Sequence, residues 1–257
     1  MQELYNMSSS VETLKKEAEF HNKRFGQEKD LRASLGKYYS INKIVNDKYF
    51  EIIKNNSKGK KLLEYGCGNG FNIKKWMDYG AKPYGIDISE DGIKKSKKIV
   101  KPYKIDKNFS VMNAESTSFN NNFFDIIVGT GILHHLNLKK SYKELSRITK
   151  NDGICVFVEP LGHNPLINLF RKLTPQMRTE DEHPLMSKDI ELAKKYFNEV
   201  STSYFILFSL LAVPFRNNPV FNGLLSVLNL LDRLLFKLPF VKKYAWMVVI
   251  TLKNPKF

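Results

Sequence analysis

Two hydrophobic periods alternate along the chain. Short apolar runs at 61–66, 83–88, 109–113, 124–130 and 154–159 are punctuated by Gly, Asn, Asp or Ser and read as buried strands. Elsewhere apolar residues recur three and four positions apart, the spacing of a helix with one inward face. A polar helix is predicted over 11–25, and an amphipathic one over 38–55 through Tyr38, Ile41, Ile44, Val45, Tyr49, Ile52 and Ile53. A helix over about 71–79 follows the first strand. After the second, Ser89 is placed to cap a helix reaching Val100, with Glu90 and Asp91 in its first turn and lysines later, as the helix dipole favours. Leu138–Thr149 and Ser187–Phe197 read as helices and Asn151-Asp152-Gly153 as a turn, while apolar stretches at 200–212 and 245–252 supply two further strands. Strand–helix alternation of this kind predicts an α/β fold: a mostly parallel seven-stranded sheet with helices on both faces.

One segment breaks the pattern. Within Asn217–Lys243, Asn222, Ser226, Asn229, Arg233 and Lys237 fall on one narrow helical face, and nearly everything else is apolar. Asp232, Arg233 and Lys237 interrupt it too early for a membrane span, which needs about 20 apolar residues. The segment is expected to be a helical insertion that walls an apolar pocket or lies in a membrane interface. The chain then reads as a single domain, 1–257, with an N-terminal helical lid (1–57), a core (58–216 and 244–257) and the insertion (217–243).

The chain has 257 residues, 42% of them hydrophobic, enough for one α/β core. Cys67 and Cys155 lack a Cys-x-x-Cys partner, so no metal site or disulfide framework is expected, and a reducing, cytoplasmic setting is the plain reading. Residues 1–30 are polar, without the apolar core of a signal peptide. A net charge of +15 fits solvated lysines, or else an anionic partner such as acidic lipid at the inner face of a membrane or a phosphorylated substrate. The lysines are spread along the chain, and arginines and aromatics do not interleave, which argues against nucleic acid.

Glu64-Tyr65-Gly66-Cys67-Gly68-Asn69-Gly70 joins a strand to a helix through alternate glycines, which permit positive φ and a close ligand. No Gly-Lys-Ser/Thr is present, and Glu64 would repel a pyrophosphate, so the expected ligand is cationic and carries an amino group. Asp87 ends the second strand, where a carboxylate is suited to accept from both hydroxyls of a ribose, as in NAD(P) enzymes too. The dinucleotide pattern wants a third glycine where this chain has Phe71.

Glu64-x-Gly66-x-Gly68-x-Gly70 resembles motif I of the class I S-adenosylmethionine (SAM)-dependent methyltransferases, whose fold is Rossmann-like. Asn113-Ala114-Glu115 is similar to that family's Asp-Ala-Glu signature, with Asn113 replacing the usual Asp. Phe124-Asp125-Ile126-Ile127-Val128-Gly129-Thr130-Gly131-Ile132-Leu133-His134-His135-Leu136 resembles its strand-four segment, best known from methyltransferases of quinone biosynthesis. The resemblance implies SAM as cofactor. Glu64 would hold the methionine end, with Gly66 and Gly68 allowing close approach. Asp87, with Ile88 beside it, would take the ribose, Asn113, Ala114 and Glu115 the adenine, and Thr130 would stand at the carboxyl end of the sheet. Glu17-Ala18-Glu19-Phe20-His21-Asn22 resembles a leading helix that folds over the cofactor in some members, with Tyr38 and Tyr39 closing it.

No Asn/Asp-Pro-Pro-Tyr follows the fourth strand, and no Asp/Asn set for a catecholate-type metal is evident. O-methylation of a small-molecule, sugar or lipid-linked glycan acceptor is the residual expectation, and a base would then take the hydroxyl proton. His163, in the loop Glu159-Pro160-Leu161-Gly162-His163-Asn164-Pro165, is the first choice, followed by His183 and His135. Arg178 is a candidate contact for a polar acceptor, and His21 is expected to be structural. Two rival readings are a catalytically weak membrane-surface binding protein on the same fold and an RNA methyltransferase.

Overall fold

The computed structural model describes residue 12 and residues 15–23, 40–174 and 183–256. Tyr38, Tyr39 and Arg178 lie outside them. Seven strands form one sheet: β1 (Lys61–Tyr65), β2 (Lys82–Asp87), β3 (Phe109–Val111), β4 (Phe124–Thr130), β5 (Thr149–Pro160), β6 (Phe197–Phe205) and β7 (Met247–Pro255). Their order is β3-β2-β1-β4-β5-β7-β6. β1 to β5 pair in parallel, as helical crossovers require, and β7 runs antiparallel to both β5 and β6.

The helices, in chain order, are α1 (15–23), α2 (Lys43–Asn56), α3 (Ile73–Asp78), α4 (Glu90–Val100), α5 (Leu138–Ile148), α6 (Pro165–Leu173), α7 (Ser187–Leu192), α8 (Phe221–Leu235) and α9 (Pro239–Lys242). Alternation along β4 explains the two layers. Ile126 and Val128 face Val45, Tyr49 and Ile53 of α2 together with Trp76. Ile127 faces the other way, toward Tyr142, Leu145 and Ile148 of α5. Each of these buried side chains contributes about 1.5–3 kcal/mol, so spaced apolar stripes hold the helices on the sheet. The predicted Ser89 cap forms, its Oγ accepting from Gly92 N at 3.0 Å. Among the described residues no helix is long and apolar enough to cross a membrane.

Several boundaries differ from the expectation. The third strand stops at Val111, and α7 gives way to a short 3-10 turn before Phe197, which already belongs to β6. Asn151-Asp152-Gly153 is absorbed into β5 as a bulge: Phe124 pairs with Thr149, but Ile126 already pairs with Ile154. A Cβ at Gly153 would lie 2.7 Å from Thr149 Cγ2, which is why glycine stands there. The strand predicted over 200–212 ends at Phe205. Ile206 takes φ 65°, a strained conformation for a β-branched residue, and Phe208–Phe215 turns into a 3-10 helix. Asp232 of α8 holds that turn, accepting from the amides of Leu207, Phe208 and Ser209 at 2.9, 2.7 and 3.2 Å and from Ser209 Oγ at 2.8 Å.

The predicted insertion between β6 and β7 is present as α8 and α9. Phe221 and Leu225 pack on the core, yet a second apolar stripe of α8 faces outward. Asp232 is buried, while Val227, Leu230, Leu231 and Leu234 are exposed.

Candidate active site

β1 delivers the chain into the glycine turn. The amides of Gly66 and Cys67 both donate to Ile86 O at 2.9 Å, folding the turn back against β2. Gly66, Gly68 and Gly70 take φ of 78°, 50° and 80°. A Cβ at Gly70 would lie 2.7 Å from Ile73 Cδ1, so glycine there secures both the turn and the start of α3.

A cavity opens beside this turn, at the carboxyl ends of β1, β2 and β4, where ligands bind in open α/β sheets. Of the expected residues, Gly66, Asp87, Ile88, Asn113, Ala114, Thr130 and His135 line it. Asp87 is fixed by its neighbours: Oδ2 accepts from Gly68 N at 2.7 Å and Oδ1 from Ser89 N at 2.9 Å. Asn113 Oδ1 accepts from Glu115 N at 2.8 Å, an Asx-type turn that presents the amide to the cavity. Tyr65 OH donates to Ala114 O and ties this loop to β1.

Other expected residues stand off the wall. Gly68 serves the cavity through its bond to Asp87. Glu64 is buried, and its oxygens accept from Asn72 Nδ2 and Trp76 Nε1, each at 3.0 Å. Burial pushes its carboxyl up to about 7 against the pull of those two bonds, with Asp87 adding to the rise. Glu115 takes up a helix-entry role instead, Oε1 accepting from Asn137 N at 2.7 Å with Lys140 Nζ 3.5 Å from Oε2.

The first-choice base is also elsewhere. His163 Nε2 accepts from Ser187 N at 3.1 Å, beside Ser187 Oγ at 3.2 Å, and His163 is absent from the cavity wall. Burial and the charge of Lys243 hold its imidazole below the ordinary histidine value. His183 is exposed and likewise off the wall. Of the three candidates only His135 reaches the cavity.

Two further wall residues come from α1. Glu17 Oε1 lies 3.2 Å from His135 Nδ1, and Glu17 Oε2 lies 3.4 Å from His21 Nε2. The donor atoms of Glu17, His21 and His135 all fall within 4.8 Å of one another, a grouping that suits a shared proton network or a divalent cation. Asn22 Oδ1 accepts from Ser89 Oγ at 2.7 Å and meets Asp91 N at 3.3 Å, latching α1 to the start of α4. With α1 closed, the cavity holds about 100 Å³. The sequence signal for this pair was Glu17 and His21 four residues apart on a polar helix, one face of one turn.

Glu159 sets the loop behind His135. Fully buried, it accepts from Ile132 N at 2.9 Å and Leu133 N at 2.8 Å through Oε1, while Oε2 lies 2.7 Å from His134 Nδ1. The insertion does not touch this cavity. Asn229, Arg233, Phe236 and Lys237 instead wall a second cavity of about 620 Å³ against Ile44, Lys48 and Phe205. The expected insertion thus walls a cavity away from the glycine turn, and α8 packs chiefly on Phe208–Phe215.

The model of the methyltransferase domain family matches residues 63–157. An uncharacterised protein of Methanocaldococcus jannaschii is 33% identical over 144 residues, covering 53% of each chain. The ubiquinone biosynthesis O-methyltransferase of Pelagibacter ubique is 32% identical over 106 residues, covering 41% of this chain and 43% of its own. This chain therefore spans about half, or less, of the length of these relatives. Geranyl diphosphate C-methyltransferase from Streptomyces coelicolor, solved with Mg2+, geranyl diphosphate and S-adenosyl-L-homocysteine, superposes with a TM-score of 0.61 at 11% identity, over 94% of this chain and 98% of that one. The matched residues, which include the glycine turn and β2 to β4, resemble the methyltransferase domain family.

Proposed function

We propose that this protein transfers the methyl group of SAM to a hydroxyl of a small-molecule, sugar or lipid-linked acceptor, with His135 as general base. The observation that carries the reading is the contact of His135 Nδ1 with Glu17 Oε1 at 3.2 Å, on the wall of a cavity that also presents Asp87, Asn113 and Thr130. The wall suits a nucleoside cofactor. A carboxylate stands where a ribose would need acceptors, an amide where an adenine would need a partner, and Gly66 brings bare backbone alongside.

SAM, when bound, supplies a methyl group on a sulfonium leaving group. This chain's own task is to hold the acceptor in line and remove its proton. Glu17 accepts the Nδ1 proton of His135, which fixes the tautomer with the lone pair on Nε2. Nε2 then takes the hydroxyl proton as the carbon–oxygen bond forms, and Glu17 stabilises the imidazolium. Asp87 would accept from the ribose, Asn113 and Ala114 would meet the adenine, and Glu64, once ionised, would offset the positive methionine end. The name of the ubiquinone biosynthesis O-methyltransferase relative supports an oxygen acceptor.

Calorimetry with SAM, followed by turnover on a panel of hydroxylated acceptors, tests the reading. His135→Ala should lower turnover roughly 10²–10⁴-fold with SAM affinity kept. No heat of SAM binding overturns the cofactor assignment, and His135→Ala turning over within about threefold of wild type overturns the base. The donor spacing of Glu17, His21 and His135 also favours one alternative, a cation that holds the acceptor oxygen. Loss of turnover on chelation, restored by a divalent cation, would select it.

A further inference from the structure

We propose that the outer face of α8, together with α6, docks this protein on an anionic lipid bilayer. Val227 is 65% exposed, Leu230 55% and Leu234 52%, and beyond the helix end Phe240 is 67% exposed. At about 100° per residue, Val227, Leu230, Leu231 and Leu234 fall within an arc about 100° wide. A helix of an ordinary soluble surface turns such a stripe inward. Here the inward face already carries Phe221, Leu225 and buried Asp232, whose carboxylate accepts from the amides of Leu207, Phe208 and Ser209. That bond set fixes the rotation of α8 and commits this stripe to the outside.

A second element repeats the arrangement. On α6, Leu166, Leu169 and Leu173 are 69%, 55% and 71% exposed at helical spacing. Asn164, which caps α6, donates its side-chain amide to Tyr244 O at 2.8 Å, so the base of α6 sits against the end of the insertion. α6 follows the carboxyl end of β5 and the insertion follows that of β6, so both stand at the end of the sheet that carries the cofactor cavity. Exposed apolar area on two neighbouring elements marks an interaction surface.

Charge selects the partner. Between residues 206 and 246 the cations are Arg216, Arg233, Lys237, Lys242 and Lys243, and the one acidic residue, Asp232, is buried. On the helical wheel Arg233 lies to one side of the leucine stripe, and Lys237 follows in the turn just past the helix end. An apolar stripe edged by cations, on a helix lying flat, is the form of an interfacial anchor on acidic lipid.

Co-sedimentation of the full chain with vesicles tests this. One set is phosphatidylcholine with about a third phosphatidylglycerol, the other phosphatidylcholine alone, each at about 0.05 and 0.5 M salt. The chain should sediment with the acidic vesicles at low salt, less at high salt, and little with the neutral ones. The double variant Arg233→Gln/Lys237→Gln should weaken partitioning about 25-fold, and Leu230→Ser/Leu234→Ser roughly tenfold or more. Unchanged urea midpoints show that both variants remain folded. The proposal is overturned if wild type stays in the supernatant with acidic vesicles at low salt, or if folded variants sediment like wild type. It is also overturned if the stripe drives self-association instead: a vesicle-independent dimer in sedimentation velocity, abolished by Leu230→Ser/Leu234→Ser.

Discussion

Glu159→Ala tests whether one buried carboxylate holds the wall of the cofactor cavity. Alanine strips the acceptor from the amides of Ile132 and Leu133 and the partner from His134. A buried donor left unsatisfied costs roughly 1–3 kcal/mol. Two such donors plus the histidine put the loss at about 3–5 kcal/mol, the range for breaking a buried pair from one side. Glu159→Gln keeps one oxygen for the two amides, and its N–H can face His134 if the imidazole turns a lone pair to Nδ1, so about 1–2 kcal/mol is expected. Urea unfolding followed by the fluorescence of Trp76 and Trp246 reads the difference. With a slope of about 3 kcal/mol per molar, alanine lowers the midpoint by about 1–1.5 M and glutamine by less than about 0.7 M. Hydrogen exchange at Ile132 and Leu133 should quicken in the alanine variant more than at β1 amides. An alanine midpoint within about 0.3 M of wild type, or a glutamine variant as damaged as the alanine one, refutes the clamp.

Three further outcomes are expected. Asp87→Ala should weaken SAM binding by about 1.5–3 kcal/mol, through the ribose and the lost bond to Gly68 N; calorimetry giving equal affinities would dismiss the role. Glu64, raised to about 7, binds its proton more tightly folded than unfolded, so its contribution is full below the unfolded value near 4.5 and is lost as pH rises through 7. Over that window wild type should lose on the order of 3 kcal/mol relative to Glu64→Gln, and parallel urea midpoints between pH 4.5 and 8 would contradict the assignment. His163→Ala should cost about 1 kcal/mol through Ser187 while turnover stays within about threefold; a hundredfold loss would restore it as a base candidate.

The elements that position the site were legible because strand ends follow from where apolar runs stop. Asp87 and Thr130 end β2 and β4, and the parallel order brings those ends together around Gly66. The choice among histidines was not legible. His135 gains its partner from Glu17, 118 positions away, and His163 loses candidacy to the amide of Ser187, 24 positions on. Pairings at such separation leave no periodic trace. The rotation of α8 was hidden for another reason: periodicity shows two stripes but not which one faces in, and a buried capping carboxylate outweighed the leucines.

The latch of α1 has a kinetic consequence. About 100 Å³ is less than the 300–1,000 Å³ of ordinary small-molecule sites, so under the proposed function α1 would have to give way for the cofactor to enter. Such a displacement would part Glu17 from His135 and Asn22 from Ser89. Under the proposed function, access and the Glu17–His135 pairing would alternate, the pairing re-forming only around a widened, filled cavity. Turnover limited by helix opening rather than by methyl transfer is what the proposed function would then predict.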